Sequence, residues 1–395
     1  EMATVSARSF SIEETNRYAG SLGDPSRMAA NYAGVNIAGD ARNDIVIRGN
    51  SPAGLLWRLD GINIPNPNHF GALGTTGGPV SMLNNNLLDN SDFMTGAFPA
   101  EYGNALSGAF DLKMRSGNNS KHEFLGQVGF NGFELGAEGP LTKNKGSYLA
   151  SYRYSTLGLL QDMGLNIGYG ATPQYQDLSF KIDLPMGLKS GRFTMFGIGG
   201  KSYIELLDKY KKEDDFTVSG IAEDTYFGSD MGVIGLSHKL FLKENTSQTI
   251  SLALSGVQNN SKVDSLINEK TDKIRRYAGR SAETKYSFNY NINSKINSKN
   301  TVNAGLMADL YQFNYQDSLL EQKTFYHHLR DFTGDGMLIQ AYLKWQHRFS
   351  DNLTLNSGVH YQQFMVNNTY AVEPRIGLKY NLTEKQSLSL MKETK

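Results

Sequence analysis

The sequence predicts a mixed α/β domain followed by a transmembrane antiparallel β-barrel that this chain does not complete. Three observations predict it. Residues 1–117 mix short helical and strand-like patterns around polar turns, whereas residues 118–395 alternate apolar and polar side chains through one strand after another. The links between those later strands are alternately short and long. No run approaches the roughly 18 to 20 apolar residues of a membrane helix, so any crossing is by closed strands.

Composition narrows the classes further. The 39 Lys and Arg cancel the 39 Asp and Glu of the 395 residues, so no basic excess points to nucleic acid. With 41 Gly, 21 Tyr and 20 Phe against 10 Pro, the chain is suited to strands and turns rather than to disorder. Absence of cysteine rules out disulfides, thiolate metal sites and cysteine nucleophiles. Residues 1–5 read as an interior strand, not as a charged leader, and an export signal is expected upstream of them.

In chain order, residues 11–33 carry loose helical spacing, with Ser11 and Glu14 as a capping box and a break at residues 20–25 that gives two short helices. A short strand begins at Val35. Residues 44–59 read as a hairpin-like unit: Ile45 and Ile47, a polar turn at Gly49-Asn50-Ser51-Pro52, then a second apolar run from Leu55 to Leu59. Residues 71–78 are a Gly-rich excursion, residues 83–93 a short helix and strand, and a strand over 109–114 closes the domain near Gly117.

Beyond Gly117 one face of each strand is apolar and the other polar. Leu178, Phe180 and Ile182 interleave with Ser179, Lys181 and Asp183, and the dyad recurs at Ile234 and Leu236, Leu252 and Leu254, Leu306 and Leu310, Leu343 and Trp345, and Ile376 and Leu378. A soluble sandwich alternates in the same way; the connections decide. Links near residues 140–145, 185–190, 243–246, 293–299, 350–352 and 383–385 are short, whereas 156–174, 205–228, 264–280 and 317–335 are long, which is the rim asymmetry of a membrane barrel. The pattern gives about a dozen strands of about 9 to 15 residues, with Tyr148, Phe349, Tyr361 and Tyr380 as interfacial aromatics.

Two motifs then carry a resemblance. Ile47-Arg48-Gly49 followed by Leu59-Asp60-Gly61 resembles the plug domain of TonB-dependent outer-membrane receptors, and residues 96–108, GAFPAEYGNALSG, resemble the segment that ends such plugs. Arg375 after Pro374 resembles a strand common in their barrels. The resemblance implies a plug over 1–117, about the first half of a barrel over 118–395, and a place in the outer membrane of a Gram-negative bacterium. It implies as partners the outer-membrane lipid, the TonB energy-transducing complex through an upstream segment, an extracellular ligand and a surface lipoprotein. Arg48 is implied to anchor the plug to barrel carboxylates, although the second arginine of such plugs is replaced by Met94-Thr95-Gly96. Substrate is implied to meet outward plug loops, which here offer Arg42, Asn43, Asn66, Asn68, His69 and Phe70.

Other motifs fail on spacing. Gly200-Lys201-Ser202 lacks the first glycine of a phosphate loop, since that position is Met195, and residues 331–336, DFTGDG, begin like a calcium loop whose twelfth position is Tyr342. His327-His328, in an expected long loop, reads as solvated. No catalytic set, metal site or cofactor motif is read. The expected function is active uptake of a siderophore, cofactor or oligosaccharide; the alternatives are a passive porin or adhesin-like barrel with a constriction domain, and a soluble carbohydrate-binding β-protein.

Overall fold

A computed structural model describes residues 7–18, 20–21, 23–129, 132–142, 145–156, 173–187, 189–208, 222–267, 271–321, 325–383 and 386–393. The expected strand at residues 1–5 and the expected loop at 157–172 lie outside these. Two helices follow β1 (Ala7–Phe10): α1 (Ile12–Arg17) and α2 (Pro25–Ala29). Ser11 and Glu14 form the reciprocal capping box, and Asp24 caps α2 ahead of its N1 proline. β2 (Val35–Ile37) pairs antiparallel with β3 (Ile45–Ile47).

The hairpin expected over residues 44–59 is not formed. Arg48 (φ 51°) and Gly49 (φ 80°) are both left-handed, and the Ser51-capped 3-10 turn Pro52–Gly54 redirects the chain. β4 (Leu55–Leu59) therefore leaves β3 and pairs with β5 (Ile62–Ile64). The hairpin sits one turn later: Asp60 (φ 46°) and Gly61 (φ 84°) have the two positive φ angles of a tight Asp-Gly turn. β6 (Asn68–His69) and β7 (Val80–Ser81) form a small ribbon, and β8 (Ser91–Met94) and β9 (Gly108–Leu112) complete a sheet in the order β1-β8-β9-β4-β5, with β4 and β9 parallel.

The core of this domain is aromatic. Phe110 stacks on Trp57 at 4.6 Å and 10°, and meets Phe93 at 4.5 Å and Phe10 edge-on at 6.2 Å. Trp57 Nε1 donates to the Thr76 carbonyl at 2.9 Å, so the excursion of residues 71–78 is tied to the core. The same cluster continues into Leu149, Phe196, Ile198, Met231 and Val233 of the later strands.

Those strands are β10 (Glu123–Gly129), β11 (Gly132–Thr142), β12 (Lys145–Tyr154), β13 (Gln174–Pro185), β14 (Arg192–Leu207), β15 (Glu223–Lys243), β16 (Thr246–Ile267), β17 (Asp272–Lys295), β18 (Asn300–Glu321), β19 (Phe325–Arg348), β20 (Leu353–Phe364), β21 (Thr369–Thr383) and β22 (Gln386–Glu393). They form one 13-stranded wall, each strand antiparallel to the next in chain order. β15 to β19 run 21 to 24 residues, longer than the expected 9 to 15. The expected long loops at 264–280 and 317–335 are mostly strand, and His327, His328 and the DFTGDG segment belong to β19. Polar sequence was read as loop there; above an apolar band both strand faces are wet, so backbone pairing persists without an apolar dyad.

The two faces of the wall are inverted relative to a soluble sheet. Leu252 is 52% exposed and Trp345 41%, with Leu178, Ile234, Leu306, Leu343, Ile376 and Leu378 exposed beside them, while Ser179, Asp183, Ser251, Asn303 and Gln340 on the concave side are buried. On β19 the apolar stripe runs from Met337 to Trp345. Nine residues at about 3.4 Å rise and a tilt of about 40° span roughly 23 Å, close to the apolar band of outer-membrane barrels. Among the described residues no helix is long and apolar enough to cross a membrane.

Replacing Phe110 with Ala is expected to destabilise the N-terminal domain by about 3–5 kcal/mol. Faster amide exchange in β4 and β9, with β15 to β19 unchanged, is the measurement that checks it.

Candidate functional site

The N-terminal domain is held to the concave side of the wall by polar contacts spread over residues 60–116. Asp60 faces Lys181 at 2.9 Å, and the carbonyls of Gly61 and Asn63 accept from Asn289 and Lys285. Phe70 N donates to Ser202 Oγ, and the Gly71 carbonyl accepts from Ser229 and Asn259. Asn84 reaches Glu134 and Ser151, and Arg115 meets Glu138 through two bonds of 2.7 Å. Ser116 and Arg192 converge on Asp183.

His69 sits at the centre of one such contact. Its ring is fully buried, 4.7 Å from the Tyr175 ring, with Nε2 2.9 Å from Asp177 Oδ2; Arg153 donates to the other carboxylate oxygen. A carboxylate oxygen can only accept, so Nε2 is the donor of this bond. Nδ1 has no hydrogen-bond partner among the described residues. Burial, helped by Arg153 and opposed by Asp177, holds the His69 pKa below its ordinary value.

The other expected ligand contacts are largely committed to the domain itself. Asn43 is buried, donating to Asp24 Oδ2 and to Asn68 Oδ1 while its own oxygen accepts from Gly78 N. Burial raises the pKa of Asp24 despite those donors. Asn68 passes a bond of 2.7 Å to Asn66, which donates to the Gly77 carbonyl. Arg42, half-exposed, donates to Asp44 and to the Gly77 carbonyl, and Phe70 is buried edge-on to Tyr175. Arg48 is exposed and donates to Thr95 of its own domain at 3.4 Å. Among the described residues, Asp60, Glu101 and Arg115 make ion pairs to the wall.

Residues 98–104 dock onto β18 to β21. Arg375 donates to the carbonyls of Phe98 and Pro99, His360 Nδ1 donates to the Ala100 carbonyl at 2.7 Å, and Glu101 pairs with Lys344. Ala100 packs with Met307 and Tyr342. Gly103 leaves no room for a side chain: an added Cβ would lie 2.0 Å from Gln340 Oε1 and 2.5 Å from His360 Nε2. Neither of those two atoms has a hydrogen-bond partner among the described residues.

This segment divides two cavities. One, of about 580 Å³, lies towards the rim of long links and is lined by Asn104, Tyr311, Phe313, Leu338 and Gln362. The other, of about 880 Å³, lies towards the short turns and is lined by Glu101, Met307, Tyr342 and Lys344 among others. On β19 a single inward side chain, Gln340, separates the two. Above it an aromatic ladder climbs the inner wall: Tyr311 and Phe313 stack at 5.8 Å, Phe313 and Tyr315 lie 5.9 Å apart, and Phe332 stands 6.2 Å from Tyr315. These aromatics were not read as site residues from sequence. Their signal in the sequence is Tyr311, Phe313 and Tyr315 at strand spacing, ahead of polar residues that predict a loop. Among the described residues no group of three or more His, Asp or Glu is placed to hold a metal ion.

A folded domain set in the concave, polar side of a long antiparallel wall is the architecture of a plugged outer-membrane receptor. Residues 2–109 match the family model of the TonB-dependent receptor plug domain. The whole chain is similar in structure to the Pseudomonas aeruginosa receptor FpvA, solved bound to heterologous iron pyoverdines, at 13% identity and a TM-score of 0.71. It is similar also to the P. aeruginosa ferric enterobactin receptor PfeA (12%, 0.66) and to the siderophore receptor PirA of Acinetobacter baumannii (14%, 0.64). It covers 99%, 98% and 98% of itself in these matches but only 56%, 61% and 60% of those chains. No curated protein matches the chain. Residues 2–109 thus match the plug-domain family, and the chain as described shares the fold of these receptors.

The His69 contact gives a pH dependence. A histidine whose folded pKa is lowered contributes fully above its unfolded pKa of about 6.5, and that contribution is lost as the pH falls below it. Amide protection of residues 66–78 is expected to be flat from pH 8 to 7 and to decline towards pH 5, and to become flatter in His69→Gln.

Proposed function

We propose that the chain is part of an active outer-membrane transporter for a ferric chelate of the siderophore class. The observation that carries the reading is the pairing of an apolar outer stripe with a polar interior filled by a docked plug. Such an interior admits no bulky solute until the plug is remodelled, and a plug tethered at so many points requires an energy source to move. The TonB complex supplies it in this reading. The siderophore receptors among the similar structures support the choice of cargo, and the aromatic ladder supports it on chemical grounds, because flat apolar rings suit the ring-bearing faces of such chelates.

Ligand is taken from the long-link rim by Tyr311, Phe313, Tyr315 and Phe332. On the plug side this reading assigns ligand contact to Arg42 and Asn66, with Asn43, Asn68, His69 and Phe70 as the residues that support them. Anchoring of the plug is assigned in this reading to Asp60, His69, Glu101 and Arg115, with Arg48 as a further anchor beside Thr95. The domain limits are 1–117 for the plug and 118–395 for the strands, in an outer membrane of the Gram-negative type.

The test is uptake of a panel of labelled ferric siderophores by cells carrying the full-length receptor, with and without a protonophore. Uptake abolished by the protonophore is the expected result, and uptake indifferent to it identifies a passive pore. In protonophore-treated cells, where binding occurs without transport, the double variant Phe313→Ala/Tyr315→Ala is expected to weaken surface binding by about tenfold, a loss of about 1.4 kcal/mol.

A further inference from the structure

The cavity below the 98–104 segment carries charge that the plug neutralises only in part. Seven basic and four acidic side chains line it. The acids are already engaged: Asp60 with Lys181, Glu101 with Lys344, Asp111 as acceptor from the Tyr102 hydroxyl and Asp89 as acceptor from Asn90 N, while Lys113 and Arg192 pair with Asp92 and Asp183 outside the lining. Lys239 and Arg348 have no carboxylate partner among the described residues. Lys344 is the most enclosed of the group, its side chain 9% exposed, and its carboxylate partner belongs to the dividing segment itself. The rest of the lining is mainly amide and hydroxyl, from residues such as Asn289, Asn291 and Ser251.

We infer that this cavity is a second, exit-side station that takes an anionic group of the passing solute on Lys344, in exchange for Glu101. The inference rests on the transport reading and adds the charge of the cargo to it. Withdrawal of residues 98–104 removes Glu101 and leaves the Lys344 ammonium without its carboxylate on the wall of a polar cavity. An isolated charge in such a place is unfavourable, and an arriving carboxylate, phosphate or anionic metal chelate restores neutrality. Arg348 lies on the same face of β19 four residues on, about 13 Å away by strand geometry, and together with Lys239 it raises the positive potential along the exit route. Opening and arrival are thereby linked, because solute and Glu101 compete for one cation. Volume permits it, since 880 Å³ accommodates a chelate of several hundred Å³.

The experiment is equilibrium dialysis of labelled citrate against the purified full-length receptor in detergent, at low and at high salt. Glu101→Gln, which releases Lys344, is expected to tighten citrate binding at least tenfold, and Glu101→Gln/Lys344→Gln to lose that gain. Lys344→Arg in the Glu101→Gln background should retain it. Arg348→Gln, which leaves the dividing segment untouched, is expected to weaken citrate binding about threefold in the otherwise native protein, and higher salt to weaken it throughout. No gain in Glu101→Gln, or a gain that survives loss of Lys344, overturns the inference, as does citrate binding indifferent to both Arg348 and salt. Because no uptake is measured, failure here leaves the transport reading standing, and failure of energy-dependent uptake leaves the anion site standing.

Discussion

The polar concave face of the wall is the constraint on which the rest of the structure depends. Serine, asparagine, aspartate and lysine side chains that would be unremarkable in water are here buried, and each needs a partner. The plug supplies many of them. Lys285 finds the Asn63 carbonyl, Asn289 the Gly61 carbonyl, Ser229 and Asn259 the Gly71 carbonyl, and Lys181 the Asp60 carboxylate. Three of these four plug partners are backbone carbonyls, so the shape of the plug chain, more than its side chains, satisfies the wall. Breaking any one bond exposes a polar group whose replacement partner is water, and such contacts can be exchanged at lower cost than an apolar core could be opened.

The same constraint explains where the contact is least complete. Around residues 98–104 the carbonyls of Phe98, Pro99 and Ala100 are well supplied, yet Gln340 Oε1, His360 Nε2 and Arg375 Nε are buried without partners among the described residues. Gly103 permits this close approach and fills none of the unmet capacity. The dividing segment is thus docked strongly through its backbone and imperfectly through the side chains facing it.

Much of this was legible in the sequence. The period-two alternation after Gly117 fixed which side chains face out, because a strand has only two faces, and Leu252, Leu306 and Ile376 are exposed as that alternation requires. The Ser11-Glu14 cap and the two short helices were equally plain, since both depend on residues three or four apart. The pairing of β4 was not, because a parallel partner more than fifty residues away leaves no local trace, and the left-handed Arg48 and Gly49 that break the apparent hairpin look like ordinary turn chemistry. The site suffered most. Asn43, Asn68 and His69 carry the polarity of a ligand surface, but that polarity is spent on Asp24, Asn66 and Asp177, whereas the aromatic ladder is assembled across β18 and β19 from residues whose pairing only the fold supplies.

The length of β15 to β19 has an energetic meaning of its own. About half of each strand stands beyond the apolar stripe, where a floppier chain would have sufficed to connect the spans. Kept as paired sheet, that portion is a stiff collar, and in the proposed transport reading a large guest settling against it finds its host already ordered. The immobilisation entropy has been met during folding, by ladder bonds between neighbouring strands, so the encounter itself need not supply it.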